Sequence, residues 1–165
     1  MTDAPIDPSP DALAAVCGSA RWVRIMAAHA PFASIDAVHA AAEDAFEELV
    51  EDDWLEAFAH HPRIGDVAEL RARFAASGAL SEREQAGLGD AQDDVVAQLA
   101  AGNARYEAKF GFVFLVRASG RSADEMLELQ QARLDNTRDE ELAIAAQQQR
   151  EITRIRIDHT LGSND

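Results

Sequence analysis

Two adjacent histidines stand directly before a proline in FAHHPRIGDVAEL, residues 58–70, with arginine, glycine and aspartate close behind. Pro62 disfavours helical backbone at His61, so a helix running through Trp54 and Phe58 stops there and leaves both imidazoles at its C-terminal end. Two readings follow. In the bland one, imidazolium near the last carbonyls is simply favoured by the helix dipole. In the chemical one, a histidine held at a helix end by the next proline is a well-placed general acid or base near neutral pH. Gly65 would permit a tight turn or a close approach of backbone to a ligand.

Two further clusters pose the same choice. In LSEREQAGL, residues 80–88, Ser81 and Glu84 fit the S-x-x-E capping box, yet a helix N-terminus also presents N–H groups that bind carboxylates. In FGFVFLVRASGRS, residues 110–122, an apolar run closes on Arg117, Ser119, Gly120 and Arg121. It reads as a core segment leading into a loop. It also reads as extended backbone lining a pocket, because its N–H and C=O groups must find partners and an amide-rich substrate would supply them. A metal is the poorer chemistry. Of the histidines, His29, His39, His60, His61 and His159, the adjacent pair would point about 100° apart on a helix, and no H-x-x-x-H spacing occurs. No metal and no cofactor are expected.

Helices must position these clusters. Apolar spacing predicts them at 11–17, 20–29, 35–59, 66–76, 82–87, 90–107, 122–134 and 138–159, with breakers HAPF, HPRIG, SGALS, GLG and ASGRS between them. Ser122 with Glu125 forms a second capping box. Only the run from Phe110 to Val116 departs from helical periodicity. It could be a strand, but no partner strand is evident, so the expectation is an all-α single-domain bundle of about eight helices with one irregular inner segment. Residues 1–10, with three prolines, read as a mobile or loosely docked leader, and 11–165 as the domain.

Thirty acidic against fifteen basic residues give a formal charge of −15, which repels nucleic-acid phosphates and anionic lipid surfaces; neither nucleic acid nor membrane is expected as a partner. The single cysteine, Cys17, excludes an internal disulfide and multi-cysteine metal sites, and fits a reducing compartment. No apolar run approaches the roughly 20 residues of a membrane span, and the acidic start lacks a signal peptide's basic region. The cytoplasm is the expected location.

HPRIGD, LSEREQAG and YEAKFGFVFLVRASGRSADEML, in this order and with the PF of HAPF upstream, resemble the 2-oxo-4-hydroxy-4-carboxy-5-ureidoimidazoline (OHCU) decarboxylases, which form (S)-allantoin in urate breakdown. The resemblance runs from about residue 10 into the last helix. It implies an all-helical homodimer that acts on a small ureidoimidazoline without metal or organic cofactor. It also implies that His61 is the catalytic acid; Glu84 is read as fixing the imidazole or the ureido group. Pro62, Ser81, Glu82, Arg83, Glu84 and Gln85 would meet the substrate, and backbone over Val116, Arg117, Ala118, Ser119 and Gly120 would hydrogen-bond it.

One departure concerns the last helix. The family pattern K-I-x-x-x-R-L ends in an arginine that reaches the substrate carboxylate, and EITRIRIDHTLG is read here with His159 at that place and Arg156 one turn earlier as its substitute. A histidine would be a weaker, pH-dependent clamp than a guanidinium. Two other readings stay open: an acidic helical interaction domain without catalysis, and a diverged small-molecule lyase or hydrolase.

Overall fold

The computed structural model describes residues 4–61, 90–117 and 121–162. Seven helices lie among them: α1 (Pro10–Val16), α2 (Ala20–His29), α3 (Ile35–Glu47), α4 (Glu51–Ala59), α5 (Asp90–Phe110), α6 (Ala123–Leu134) and α7 (Arg138–Leu161). The fold is all-α, as expected; the extended pairing among the described residues is one antiparallel bridge, in which Ile6 and Phe32 exchange backbone hydrogen bonds of 2.8 and 2.7 Å. The helices expected at 66–76 and 82–87 lie outside the described residues.

Local chemistry sets the helix starts. Ser9, Ser19, Ser34 and Ser122 each accept, on Oγ, the N–H three residues on, at 3.1 to 3.2 Å. Thr137 and Glu140 cap α7 reciprocally, with Glu140 N–H to Thr137 Oγ1 at 3.2 Å and Thr137 N–H to Glu140 Oε2 at 2.8 Å. Pro10 occupies the first turn of α1, where its missing N–H is harmless.

The helix expected over 35–59 is two helices, broken at Glu48–Val50. Three consecutive acids, Glu51 to Asp53, sit in the first turn of α4, where the helix dipole favours negative charge, and Asp53 accepts the Val50 N–H at 3.0 Å. The break also brings Phe46 and Trp54 into a stack with centroids 5.3 Å apart. In one straight helix these residues would be about 12 Å apart along the axis. Arg150 from α7 covers both rings, 5.5 and 5.7 Å from their centroids, while pairing with Glu43 at 3.0 Å and Glu47 at 3.2 Å.

The chain packs as two units. The first comprises residues 1–61 and 146–165, the second residues 62–145. The core of the first unit gathers Leu13, Val16, Trp22, Met26, Val38, Phe46 and Ile157, each buried. Removing a large apolar side chain of this kind from water stabilises by about 1.5–3 kcal/mol. Trp22 Nε1–H finds the Ala42 carbonyl at 3.3 Å, so the indole leaves no orphan donor.

In the second unit α5 runs three residues past its expected end, to Phe110, and stops where Gly111 adopts φ +83°, a conformation that suits a residue without Cβ. Residues 111–117 are irregular, matching the expected inner segment. Tyr106 is ringed by Phe110, Phe112 and Phe114, with centroids 4.6, 5.9 and 5.2 Å away. Buried Glu141 takes the Tyr106 hydroxyl at 2.5 Å, the Asn136 amide at 3.0 Å and an ion pair from buried Arg133. Arg133 also donates to the Leu115 carbonyl at 2.7 Å, giving the irregular segment a fixed backbone partner. Burial first, and then the bond to Glu141, push the Tyr106 hydroxyl far above its ordinary pKa.

Candidate active site

The end of α4 separates the two histidines. His60 is the C-terminal cap (φ −79°, ψ −10°), and its Nδ1–H donates to the Glu56 carbonyl at 2.9 Å. Its ring lies against Gly18, where a Cβ would come within 2.4 Å of the ring carbon Cγ. That corner between α1 and α2 therefore has room only for glycine. His61 follows in a bend, half-buried, with its N–H on the Phe58 carbonyl at 3.1 Å. The helix thus ends where Pro62 predicts.

The His61 ring turns toward α7. Its Nε2 lies 2.7 Å from Gln149 Oε1, and Gln149 Nε2 donates to Thr153 Oγ1 at 2.9 Å. Thr153 Oγ1 in turn donates to the Val16 carbonyl at 3.1 Å. Gln149 and Thr153 are both fully buried, so the network runs from the interior to a half-buried imidazole. Each such bond contributes about 0.5–1.5 kcal/mol net, and orphaning a buried member costs more.

Arg156 shares the face. It lies seven residues beyond Gln149, which at about 100° per residue is within about 20° of it around the helix, whereas His159 stands about 80° away. Burial pushes the Cys17 thiol up to about 11, against the lowering effects of the Ser19 N–H, the Thr153 hydroxyl and, after them, the Arg156 charge. Cys17 is fully buried and unreactive in character. The I-x-x-x-R spacing is also met by Ile152 and Arg156, so spacing and helix face agree on Arg156.

Of the residues expected at the site, His61, Arg156 and His159 belong to the first unit, and Val116 and Arg117, both half-buried, to the second. Pro62, Ser81 to Gln85, Glu84 among them, and Ala118 to Gly120 lie outside the described residues. Among the described residues no group of three or more His, Cys, Asp or Glu could hold a metal ion, and no helix is long and apolar enough to cross a membrane. Gln149 and Thr153 escaped the sequence reading. Their i, i+4 spacing behind a long helix was the available signal, but polar pairs at that spacing cover most solvent-facing helices.

Comparison with known proteins joins these observations. The chain is 36% identical over 143 residues to the uric acid degradation bifunctional protein TTL of Arabidopsis thaliana, covering 86% of this chain and 44% of the relative; it therefore spans less than half of that bifunctional protein. It is 24% identical over 148 residues to the 2-oxo-4-hydroxy-4-carboxy-5-ureidoimidazoline decarboxylase of Haloferax volcanii, with 89% and 85% of the two chains covered. A crystal structure of OHCU decarboxylase in the presence of (S)-allantoin superposes with a TM-score of 0.76 at 29% identity, covering 94% of this chain and all of the other. The family model described as OHCU decarboxylase matches residues 4–158, and with nearly the whole chain inside that match the protein belongs to the OHCU decarboxylase family, a family of carboxy-lyases of urate degradation.

Proposed function

We propose that this chain decarboxylates 2-oxo-4-hydroxy-4-carboxy-5-ureidoimidazoline to (S)-allantoin, with His61 as the general acid. The observation that carries the reading is the placement of His61: half-buried at the end of α4, with one ring nitrogen held from inside by Gln149. Breaking the bond to the carboxylate carbon releases CO2 and leaves an electron pair on the ring. That pair moves into the adjacent C=N, so the substrate supplies its own electron sink. A proton then goes to one face of the carbon that bears the ureido group, while the neighbouring hydroxyl carbon becomes a carbonyl. One proton is taken up for each CO2 lost.

The protein's part is orientation and proton delivery. Arg156, on the same helix face as Gln149 and Thr153, is the carboxylate anchor in this reading, and His159 the lesser candidate. Glu84, Gln85 and the backbone of Val116 to Gly120 are assigned to the ring and ureido group on the strength of the family resemblance. The same resemblance supports a homodimer, and the unpaired buried Cys17 accords with a reducing, cytoplasmic setting.

The test is turnover on substrate freshly made from urate by the two preceding enzymatic steps, with (S)-allantoin followed by circular dichroism. His61→Asn should lose about 10²–10⁴-fold in kcat, the range of general acid catalysis, with an unchanged far-UV spectrum. Turnover retained in H61N sinks the assignment. Arg156→Gln should raise KM more than His159→Gln does; the reverse order would move the anchor to His159.

A further inference from the structure

The polarity of the hydrogen-bond chain behind His61 can be derived from its buried end. Helix α1 stops at Val16, and the N–H that would continue the helix onto the Val16 carbonyl is that of Ala20. Ala20 N–H is instead taken by Glu56 Oε1 at 2.6 Å. The Val16 carbonyl can only accept, and its donor is the Thr153 hydroxyl. The Cys17 sulfur is a second acceptor on the same buried side; with its single hydrogen directed to that side, Thr153 Oγ1 meets Gln149 with lone pairs, and these take a hydrogen from the amide nitrogen of Gln149. The Gln149 amide is thereby orientated with Oε1 toward His61. An amide oxygen facing Nε2 requires that Nε2 carry a hydrogen.

We infer that Gln149, set by Thr153 and the Val16 carbonyl, is a positioning residue that holds His61 in the Nε2–H form and makes Nδ1 the nitrogen that exchanges the proton with substrate. The inference deepens the reading of His61 as the acid and rests on it for its catalytic half. In the neutral ring Nδ1 is the basic atom, and in the imidazolium it carries the transferable hydrogen. A ring free to hold its hydrogen on either nitrogen would offer the wrong atom for part of the time. Among the described residues, the charged and titratable groups around the network are His60 and Glu56 on α4, Cys17 at the end of α1, and Arg156 on α7.

The experiment reads the tautomer first and activity second. Nitrogen-15 NMR of the intact protein, at a pH where His61 is neutral, should show hydrogen on Nε2. Gln149→Met removes the acceptor while keeping length. It should yield a mixture of tautomers, with kcat down about 10- to 100-fold and KM within about twofold. Gln149→Glu restores an acceptor, so it should recover the Nε2–H form and move the kcat limb governed by the imidazolium to higher pH. If Q149M fails to fold, Thr153→Val carries the same test: nearly the same in shape, it leaves the Gln149 amide free to turn and should also mix the tautomers. Hydrogen on Nδ1 in the unaltered protein, or a pure Nε2–H form with unchanged kcat in Q149M or T153V, overturns the proposal. The NMR arm uses no substrate, so it succeeds or fails separately from the H61N turnover test.

Discussion

Two buried polar networks occupy the two units, and they are built on opposite plans. In the second unit, Tyr106, Arg133, Asn136 and Glu141 close on one another: the carboxylate is fully buried, Tyr106, Arg133 and Asn136 all donate to it, and Arg133 also reaches the Tyr106 hydroxyl and the Leu115 carbonyl. In the first unit, Val16, Thr153, Gln149 and His61 form a line with a direction, which begins at a carbonyl in the core and ends at a half-buried imidazole. A closed network with an ion pair fixes a shape. An open, uncharged one passes its polarity to whatever stands at its end, and here that is His61, the residue proposed as the general acid.

The largest effect on stability should come from opening the closed network. Glu141→Gln leaves the Arg133 guanidinium buried without its counter-charge, a loss of about 3–5 kcal/mol by chemical denaturation. The double variant R133M/E141L should recover most of that loss, because two apolar side chains need no partner. If the double variant is no better than E141Q, the ion pair contributes more than its mutual neutralisation. In both, the pH profile of kcat should stay where it was.

Next comes the alkaline range. Cys17 is raised from 9.0 to about 11, so its neutral form is favoured in the folded chain. Below pH 9 both states hold the thiol proton. Between about pH 9 and 11 the unfolded chain gives it up more readily, and stability falls by about 3 kcal/mol across that window. Cys17→Ala should flatten this stretch of the stability curve, measured by denaturant midpoint against pH. Tyr106, raised further still, keeps a fall that begins above pH 10 in the variant as well.

The smallest effect sharpens the comparison at a helix start. Ser122→Ala removes the cap of α6 and should cost about 1 kcal/mol, with no change in the His61 tautomer. A shifted tautomer in S122A would mean that the two networks are not independent.

Which parts of this were legible in the sequence follows from how local the deciding forces are. Pro62 acts on the residue beside it, so the stop at His61 could be read directly. Ser122, which caps the Glu125 N–H, and the aperiodic run from Phe110 to Val116, whose residues after Phe110 form the irregular segment, are likewise short-range signals. The break at Glu48–Val50 could not be read from the apolar period alone, because the stack of Phe46 on Trp54 and the Arg150 cover come from residues up to about a hundred positions apart. The acids at 51–53 were the local hint. Gln149 and Thr153 carry only the i, i+4 polar spacing that most solvent-facing helices share, since what singles them out is a carbonyl on another helix left without its helical donor. The Ile152–Arg156 spacing was equally legible, and in the proposed reading it favours Arg156 over His159 as the anchor.

The contacts that orient His61 also have an order in time. His61 and Gln149 are 88 positions apart, and Val16 and Thr153 are 137. At a ribosomal rate of roughly 5–20 residues per second, the corner at Val16 waits on the order of 10–30 s for Thr153 to be made. Until then the nascent chain can fold α1 to α4 against one another and bury Trp22 and Phe46, but it cannot set the imidazole. In this reading α7 is the helix that aims His61, so a chain shortened before residue 149 would retain the residue assigned to the chemistry and lack the means to aim it.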